Sequence, residues 1–269
     1  MAVIHSTPPG TATVRPSSTV PGLRVHEYLV AVYRRNWRGS AFASFLEPVL
    51  FLAAMGIGLG SFVGTVGGVS YLEYLAPGLL AAQAMQTSTG DAAWPILGGI
   101  VWDKTFHSML ATPLRVSDIL VGEVLWIATR LLLVCSIFFA VMVLFGAVLS
   151  PTGILAIPAA VLTGMACSVP VIAYSARLKS DSGFNGLFRF VVTPLFLFSG
   201  TFFPVEQLPA FLQPIAYLTP LWHGVTLCRS LTLGIGSPAL AAVNVAVLVA
   251  YTAVGFVLAY WSLRARLVK

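Results

Sequence analysis

Charge is what this sequence has least of. Asp, Glu, Lys and Arg make up 9% of its 269 residues, where soluble domains carry roughly a quarter. So few charges cannot cover a water-facing surface, which excludes a soluble globular class. Cysteine is scarce as well. Cys135, Cys167 and Cys228 are odd in number, sit in or beside apolar runs and form no Cys-x-x-Cys. A disulfide framework or a zinc site is therefore not indicated, and small apolar packing is the role left to them. Histidine occurs only as His5, His26, His107 and His223, with no His-Glu-x-x-His or His–carboxylate cluster to hold a metal. Alternating strands of about ten residues are missing, so an outer-membrane barrel is not expected.

What is there is apolar length. Hydrophobic residues make up 58% and the mean hydropathy is +0.90. The sequence predicts an all-α, polytopic integral membrane protein. Six spans of ~20 residues each are expected at about 45–63, 72–98, 120–145, 154–176, 187–203 and 239–261. The first opens on Glu47-Pro48, since proline is tolerated in a first turn, and Gly56, Gly58 and Gly60 give it a small-residue face. Pro158 and Pro170 are expected to kink the fourth. Ahead of the spans, residues 1–22 are rich in Ser, Thr, Pro and Gly and read as a disordered tail. Over 23–39, Val25, Tyr28, Leu29, Val32 and Tyr33 recur at helical spacing before Arg34, Arg35 and Arg38. That pattern fits an amphipathic helix at the membrane surface with arginines on lipid phosphates, or the charged start of the first span. The transmembrane domain then covers 40–266.

The basic residues orient the chain. Arg15 to Arg38, Lys104, Arg115, Arg177, Lys179, Arg189 and those of the C-terminus fall on one side or at helix ends near it, and only Arg229 lies toward the other. Lys and Arg mark the cytoplasmic side. Both termini are therefore expected in the cytoplasm and the uncharged turns 64–70 and 146–153 outside, with the protein in the cytoplasmic (inner) membrane. The same excess explains the formal charge of +6 without nucleic acid.

Polar residues inside the apolar stretches mark candidate sites. Gln83, Gln86, Thr87, Ser88, Thr89 and Asp91 fall in the second span, where such groups face other helices or a water-filled space. They either line a route or hold helices together. Glu123 and Arg130, seven apart on one face of the third span, pair through neighbours or with adjacent helices. Between these spans, 100–119 is too polar to cross. A short helix from Trp102 to Ala111 is expected there, closing at Thr112-Pro113, with a new start capped by Ser117-Asp118. Trp102, Phe106, Met109 and Leu110 would form its apolar face, flanked by Asp103, Lys104 and His107.

The stretch from Phe196 to His223 is broken repeatedly. An apolar run stops at Ser199-Gly200, then come Phe202-Phe203-Pro204, the lone carboxylate Glu206, and Pro209, Pro214 and Pro220. Each proline removes a backbone donor and disfavours helix at the residue before it. In a membrane such backbone survives where it packs on protein or lines a cavity. Short helices dipping back into the membrane are one reading, and an amphipathic external loop is the other.

No nucleotide site is legible. GGIVWDKT at 98–105 departs from a phosphate loop where Asp103 precedes Lys104, and a carboxylate there repels phosphate. If ATP is used, another chain hydrolyses it. An intramembrane enzyme is the lesser alternative, since His223, alone near one membrane surface, reads better as a hydrogen-bonded anchor than as a base.

The segments LFLFSGTFFPVEQLP and YLTPLWHGVTLCRSL, with YLAPGLLAAQAMQTSTGDAAWPI and LATPLRVSDILVGEVLW, resemble the ABC-2 type permeases. The resemblance is to the lipo-oligosaccharide (nodulation-factor) export branch, with daunorubicin-resistance permeases as near relatives. It covers nearly the whole chain after about residue 25 and leaves the N-terminal tail outside. It implies a non-enzymatic transport subunit that binds no cofactor, with ATP and Mg in a separate ATPase of two copies. A second copy or related permease would complete the pair. It makes Trp102, Asp103, Lys104, Phe106, His107, Met109 and Leu110 a coupling helix. Phe202, Phe203, Pro204, Glu206 and His223 would belong to an outer gate, and Gln83, Gln86, Thr87 and Asp91 remain candidates for the route. The substrates implied are amphipathic: glycolipids, polyketide drugs or surface polysaccharides. An ion-coupled secondary transporter stays open beside it, with Asp91 as proton carrier, although no second half repeats it.

Overall fold

The computed structural model describes residues 21–35, 46 and 48–268. The tail up to residue 20, the interfacial segment beyond Arg35 and Glu47 lie outside the described residues.

In chain order the helices are α1 (Pro21–Tyr33), α2 (48–63, π-helical over Leu52–Leu59), α3 (Tyr71–Leu97), α4 (Thr105–Leu110), α5 (Val116–Leu144), α6 (Ala156–Ser175), α7 (Ser182–Phe198), α8 (Gln213–Leu218), α9 (Pro220–Leu233) and α10 (Pro238–Leu267). Strands β1 (Thr65–Val66) and β2 (Val69–Ser70) pair antiparallel. Gly67 and Gly68 take φ of 62° and 86° between them, as a two-residue hairpin turn requires. Ser70 then caps α3: its hydroxyl accepts from the Glu73 N–H, while Glu73 Oε2 accepts from the Ser70 N–H at 2.8 Å.

Among the described residues, three helical stretches are long and apolar enough to cross a membrane: α5, 151–175 including α6, and α10. Helix α3 is comparable in length at 27 residues but carries Glu73, Gln83, Gln86 and Asp91.

Several details differ from expectation. The fifth span was expected at 187–203, yet α7 runs from Ser182 to Phe198, and Gly200 turns the chain at φ 80°. Phe202 and Phe203 continue the apolarity past that bend, so hydropathy places the end too late. The broken stretch after it contains more than short helices, because α9 has 14 residues and a buried face. Thr219 Oγ1 accepts from the Trp222 N–H at 3.3 Å to start it. The cap residue of α5 is Arg115 rather than Ser117 or Asp118. Asp118 lies inside the first turn, and its Oδ2 accepts from the Arg115 N–H at 2.8 Å. Finally, Pro158 lies in the first turn of α6, where proline fits, so Pro170 alone is interior.

Helix α6 lies at the centre, packed by α3, α5, α9 and α10. Glycines set the spacing. A Cβ at Gly164 would stand 2.6 Å from Leu131 Cδ1 and 3.0 Å from the Ala84 carbonyl oxygen, and one at Gly255 would stand 2.7 Å from Pro170 Cδ. In the α2 stretch, Gly56 meets Leu72 and Gly60 meets Tyr71, both at the start of α3. Helix α1 starts two residues earlier than its periodicity suggested, Pro21 and Gly22 belonging to it rather than to the tail. It docks on α5 through Val25 and Gly122, and His26 Nε2 lies 2.9 Å from Thr129 Oγ1. All three cysteines are free, and Cys135 and Cys228 are buried.

Candidate functional site

One end of the bundle carries α4 between α3 and α5. Helix α3 continues through a π-helical turn, Gly98–Trp102. Asp103 and Lys104 then reverse the chain, Lys104 adopting φ 53°. The helix expected over 102–111 is therefore only Thr105–Leu110, and Trp102, Asp103 and Lys104 stand outside it, all exposed. The expected common apolar face is split. Phe106 turns inward, 2% exposed, onto Gly99, where a Cβ would lie 2.8 Å from its ring. Trp102 stays 52% exposed, His107 is exposed, and Met109 and Leu110 are half-buried. A groove of about 670 Å³ separates α4 from α1, lined by Arg24, Val25, Tyr28, Ser108, Met109 and Pro113 among others.

The polar centre of α3 divides by face. Ser88 Oγ donates to the Gly164 carbonyl at 2.9 Å, and Ser175 Oγ of α6 donates to the Ala92 carbonyl at 2.8 Å, so this face holds helices together. Gln83 and Thr87 are half-buried and Gln86 is exposed. Gln83 and Gln86 border a small hollow with Pro48, Phe51, Leu79 and Phe196. Asp91 is buried and paired with Arg130 of α5, the one ion pair among the described residues. Of the two groups expected to share a face of α5, Arg130 thus pairs across helices. Glu123 is buried, with no ion-pair partner among the described residues.

At the opposite end, the segment 199–218 folds over its own small core of Val205, Leu208 and Ala216, packed by Phe203, Leu212, Tyr217 and Trp222. Phe202 stacks edge-on against Phe196 at 5.1 Å, and Pro204 precedes a 3-10 turn, Val205–Gln207. Glu206 is exposed and accepts from the Tyr217 hydroxyl at 3.2 Å, while Gln213 Nε2 donates to the Leu208 carbonyl at 2.9 Å. His223 is not grouped with them. It is buried on α9, and its Nδ1 lies 2.8 Å from Asn244 Oδ1 of α10, a hydrogen-bonded anchor. An apolar hollow of about 640 Å³ opens between this segment and α2, bordered by Phe51, Met55, Tyr71, Phe196, Phe202 and Gln207 among others.

Sequence reasoning passed over Arg229. Its Nε donates to the Tyr74 carbonyl at 3.2 Å and its Nη2 to the Gly200 carbonyl at 2.9 Å. The guanidinium carbon sits 3.8 Å over the Tyr74 ring. The signal was present, because Arg229 is the basic residue that breaks the charge asymmetry.

A profile of the ABC-2 type transporter family matches residues 27–233, which takes in α3, α4 and the broken segment together. The chain belongs to the ABC-2 type transporter family. The permease is 37% identical over 212 residues to Nodulation protein J of Rhizobium leguminosarum bv. trifolii, covering 76% of this chain and 81% of the relative. To the protein of the same name from R. leguminosarum bv. viciae it is 36% identical over 248 residues, 89% and 95% of the two chains. It is 25% identical over 231 residues to the inner membrane transport permease YadH of Escherichia coli K12, covering 86% and 89%. As an ABC-2 permease it is an integral membrane transport subunit. The arrangement suits that work, with an exposed helical loop at one end and a folded cap at the other. A partly open polar face on α3 runs between them.

Proposed function

We propose that this permease is the membrane half of an ATP-driven exporter that moves an amphipathic molecule out across the cytoplasmic membrane. A glycolipid, lipo-oligosaccharide or hydrophobic drug is the class of cargo. ATP and Mg belong to a separate ATPase, two copies serving a pair of permeases, the second being another copy of this chain or a related one. Both termini face the cytoplasm, an orientation that rests on the charge asymmetry of the sequence.

The observation that carries this reading is the short connection between α3 and α4. The exposed loop is joined to a 27-residue helix through one π turn and two residues, so a push on the loop becomes a displacement of the helix. Exposed Trp102 and His107, with the groove toward α1, offer the ATPase its contact. Phe106, which sequence spacing put on that contact, instead fixes the loop to α3. The cargo class is supported by the half-open Gln83–Gln86–Thr87 face of α3 and the apolar hollow at Phe202, which together accommodate polar and apolar parts. An ion-coupled mechanism is disfavoured because Asp91, its proton carrier, is engaged by Arg130.

Trp102→Ala with His107→Ala should leave a folded permease that retains its ATPase weakly, since aromatic anchors lose ~2 kcal/mol or more on truncation. Full co-purification with normal transport would refute the assignment. Transport that survives ATP depletion but stops with a proton uncoupler would replace the whole reading by ion coupling.

A further inference from the structure

Residues 71, 74 and 78 fall on one face of α3, at helical spacing i, i+3 and i+7. All three address the same three residues of the bend after α7. The Tyr71 hydroxyl reaches the Phe202 carbonyl at 3.4 Å, and the Tyr74 hydroxyl reaches the Gly200 carbonyl at 3.5 Å. Gly78 lets the two backbones touch: a Cβ there would lie 2.9 Å from the Thr201 carbonyl oxygen, 3.2 Å from Thr201 Cα and 3.2 Å from Arg229 Nη2. Arg229 closes this contact from α9. It has no carboxylate within ion-pair distance among the described residues. It engages the carbonyls of Tyr74 and Gly200, one on each side of the seam, and the face of the Tyr74 ring. Two charge-assisted hydrogen bonds from one planar guanidinium, plus a ring contact, fix the relative position of the groups they join.

We propose that Arg229 is a positioning residue. With Tyr74 and Gly78 it locks the bend at 200–202 to α3, so that displacement of α3 is delivered to the cap formed by 199–218. The proposal rests on the exporter reading and supplies what that reading lacks, a connection from the loop end to the exit end. The cap is suited to move as a piece, because Val205, Leu208 and Ala216 give it a core apart from that of the bundle. At its other end α3 runs into the π turn Gly98–Trp102 and on to α4. The seam and the loop are thus two ends of one helix. Lysine cannot do the work of Arg229, since an ammonium on a flexible stem does not hold two carbonyls and a ring face in one plane.

The test uses the full chain with its ATPase in proteoliposomes, comparing Arg229→Lys and Gly78→Ala with Gly186→Ala, where a Cβ meets open space. Transport and ATP hydrolysis are read separately. In the same backgrounds T201C reports the seam through a membrane-impermeant maleimide, because Thr201 is fully buried. Both seam variants should keep ATP hydrolysis within about twofold while transport falls about tenfold, the scale of one charge-assisted hydrogen bond. The thiol at T201C should be protected in the parent and in Gly186→Ala, and should react in both seam variants. A parallel fall of transport and hydrolysis would reduce the seam to a structural contact and overturn the proposal. The labelling arm needs no ATPase. Should the exporter reading itself fail, unchanged protection of T201C in both variants still overturns the seam, and exposure in both sustains it.

Discussion

Arg130 of α5 reaches across to Asp91 of α3 and closes an ion pair inside an apolar bundle. Asp91 Oδ2 and Arg130 Nε have no hydrogen-bond partner among the described residues, so the buried carboxylate depends on Arg130. Asp91 is the buried member and Arg130 stays 29% exposed, so removing the guanidinium or the carboxylate alone costs about 1–3 kcal/mol, and removing both is milder. Asp91→Asn should therefore lower the thermal midpoint of the detergent-purified permease clearly, and Asp91→Asn with Arg130→Gln should restore most of the loss. A double variant no more stable than the single one would show that the pair is not the source of the effect.

Phe106 and Trp102 sit four residues apart with opposite fates. Phe106 fills the space over Gly99, and its truncation should cost about 3–5 kcal/mol. Trp102 is exposed, and Trp102→Ala should change the stability of the isolated permease by no more than about 0.5 kcal/mol. Unfolding midpoints of the two variants without the ATPase separate them; equal losses would mean that Phe106 is not the inward residue.

Two glycines give a matched pair for packing. Gly164→Ala forces a Cβ to 2.6 Å from Leu131 and 3.0 Å from the Ala84 carbonyl, while at Gly90 a Cβ meets nothing within 4 Å. Overpacking costs about 1–3 kcal/mol, so Gly164→Ala should destabilise by that amount. Gly90→Ala should be neutral or stabilising by up to about 1 kcal/mol, alanine being the better helix former. The readout is the thermal midpoint in one detergent, and a neutral Gly164→Ala would contradict the close contact of α3, α5 and α6.

Thr65, Thr152 and Lys179 are all exposed and test the orientation. In intact cells, thiols introduced at 65 and 152 should react with an impermeant reagent, and one at 179 should react only after permeabilisation. Reaction at 179 in intact cells would overturn the six-span arrangement.

Helix class, membrane setting and the breaks near Gly200 and Pro204 were legible because they follow from hydropathy and backbone chemistry close in sequence. The end of α7 was not, since Phe202 and Phe203 are as apolar as the helix before them and only the turn at Gly200 separates them. The inward face of α4 was missed for a related reason. Spacing says which residues share a face, but the body that covers that face is Gly99 in the preceding turn, and nothing local to α4 announces it. Arg130 could be seen as a charge needing a partner. Asp91 as that partner depends on how α3 and α5 lie side by side. Arg229 stood out as the outlying charge, but it bonds to backbone carbonyls, which every residue has, so no side-chain pattern named Tyr74 and Gly200 as its partners.

Helix α9 has a consequence for how the chain is made. Its 14 residues extend about 21 Å at 1.5 Å per residue, short of the ~30 Å of a hydrocarbon core, and it carries a cation. It has no means of entering a bilayer alone. Both carbonyls that receive Arg229 belong to residues already synthesised, Tyr74 and Gly200, and so does Thr163, against which Gly224 fits without room for a Cβ. Asn244 of α10, which meets His223, is still to come. The residues that receive α9 there precede it in the chain, so they are made before it, and α10, which also packs on it, is made after it.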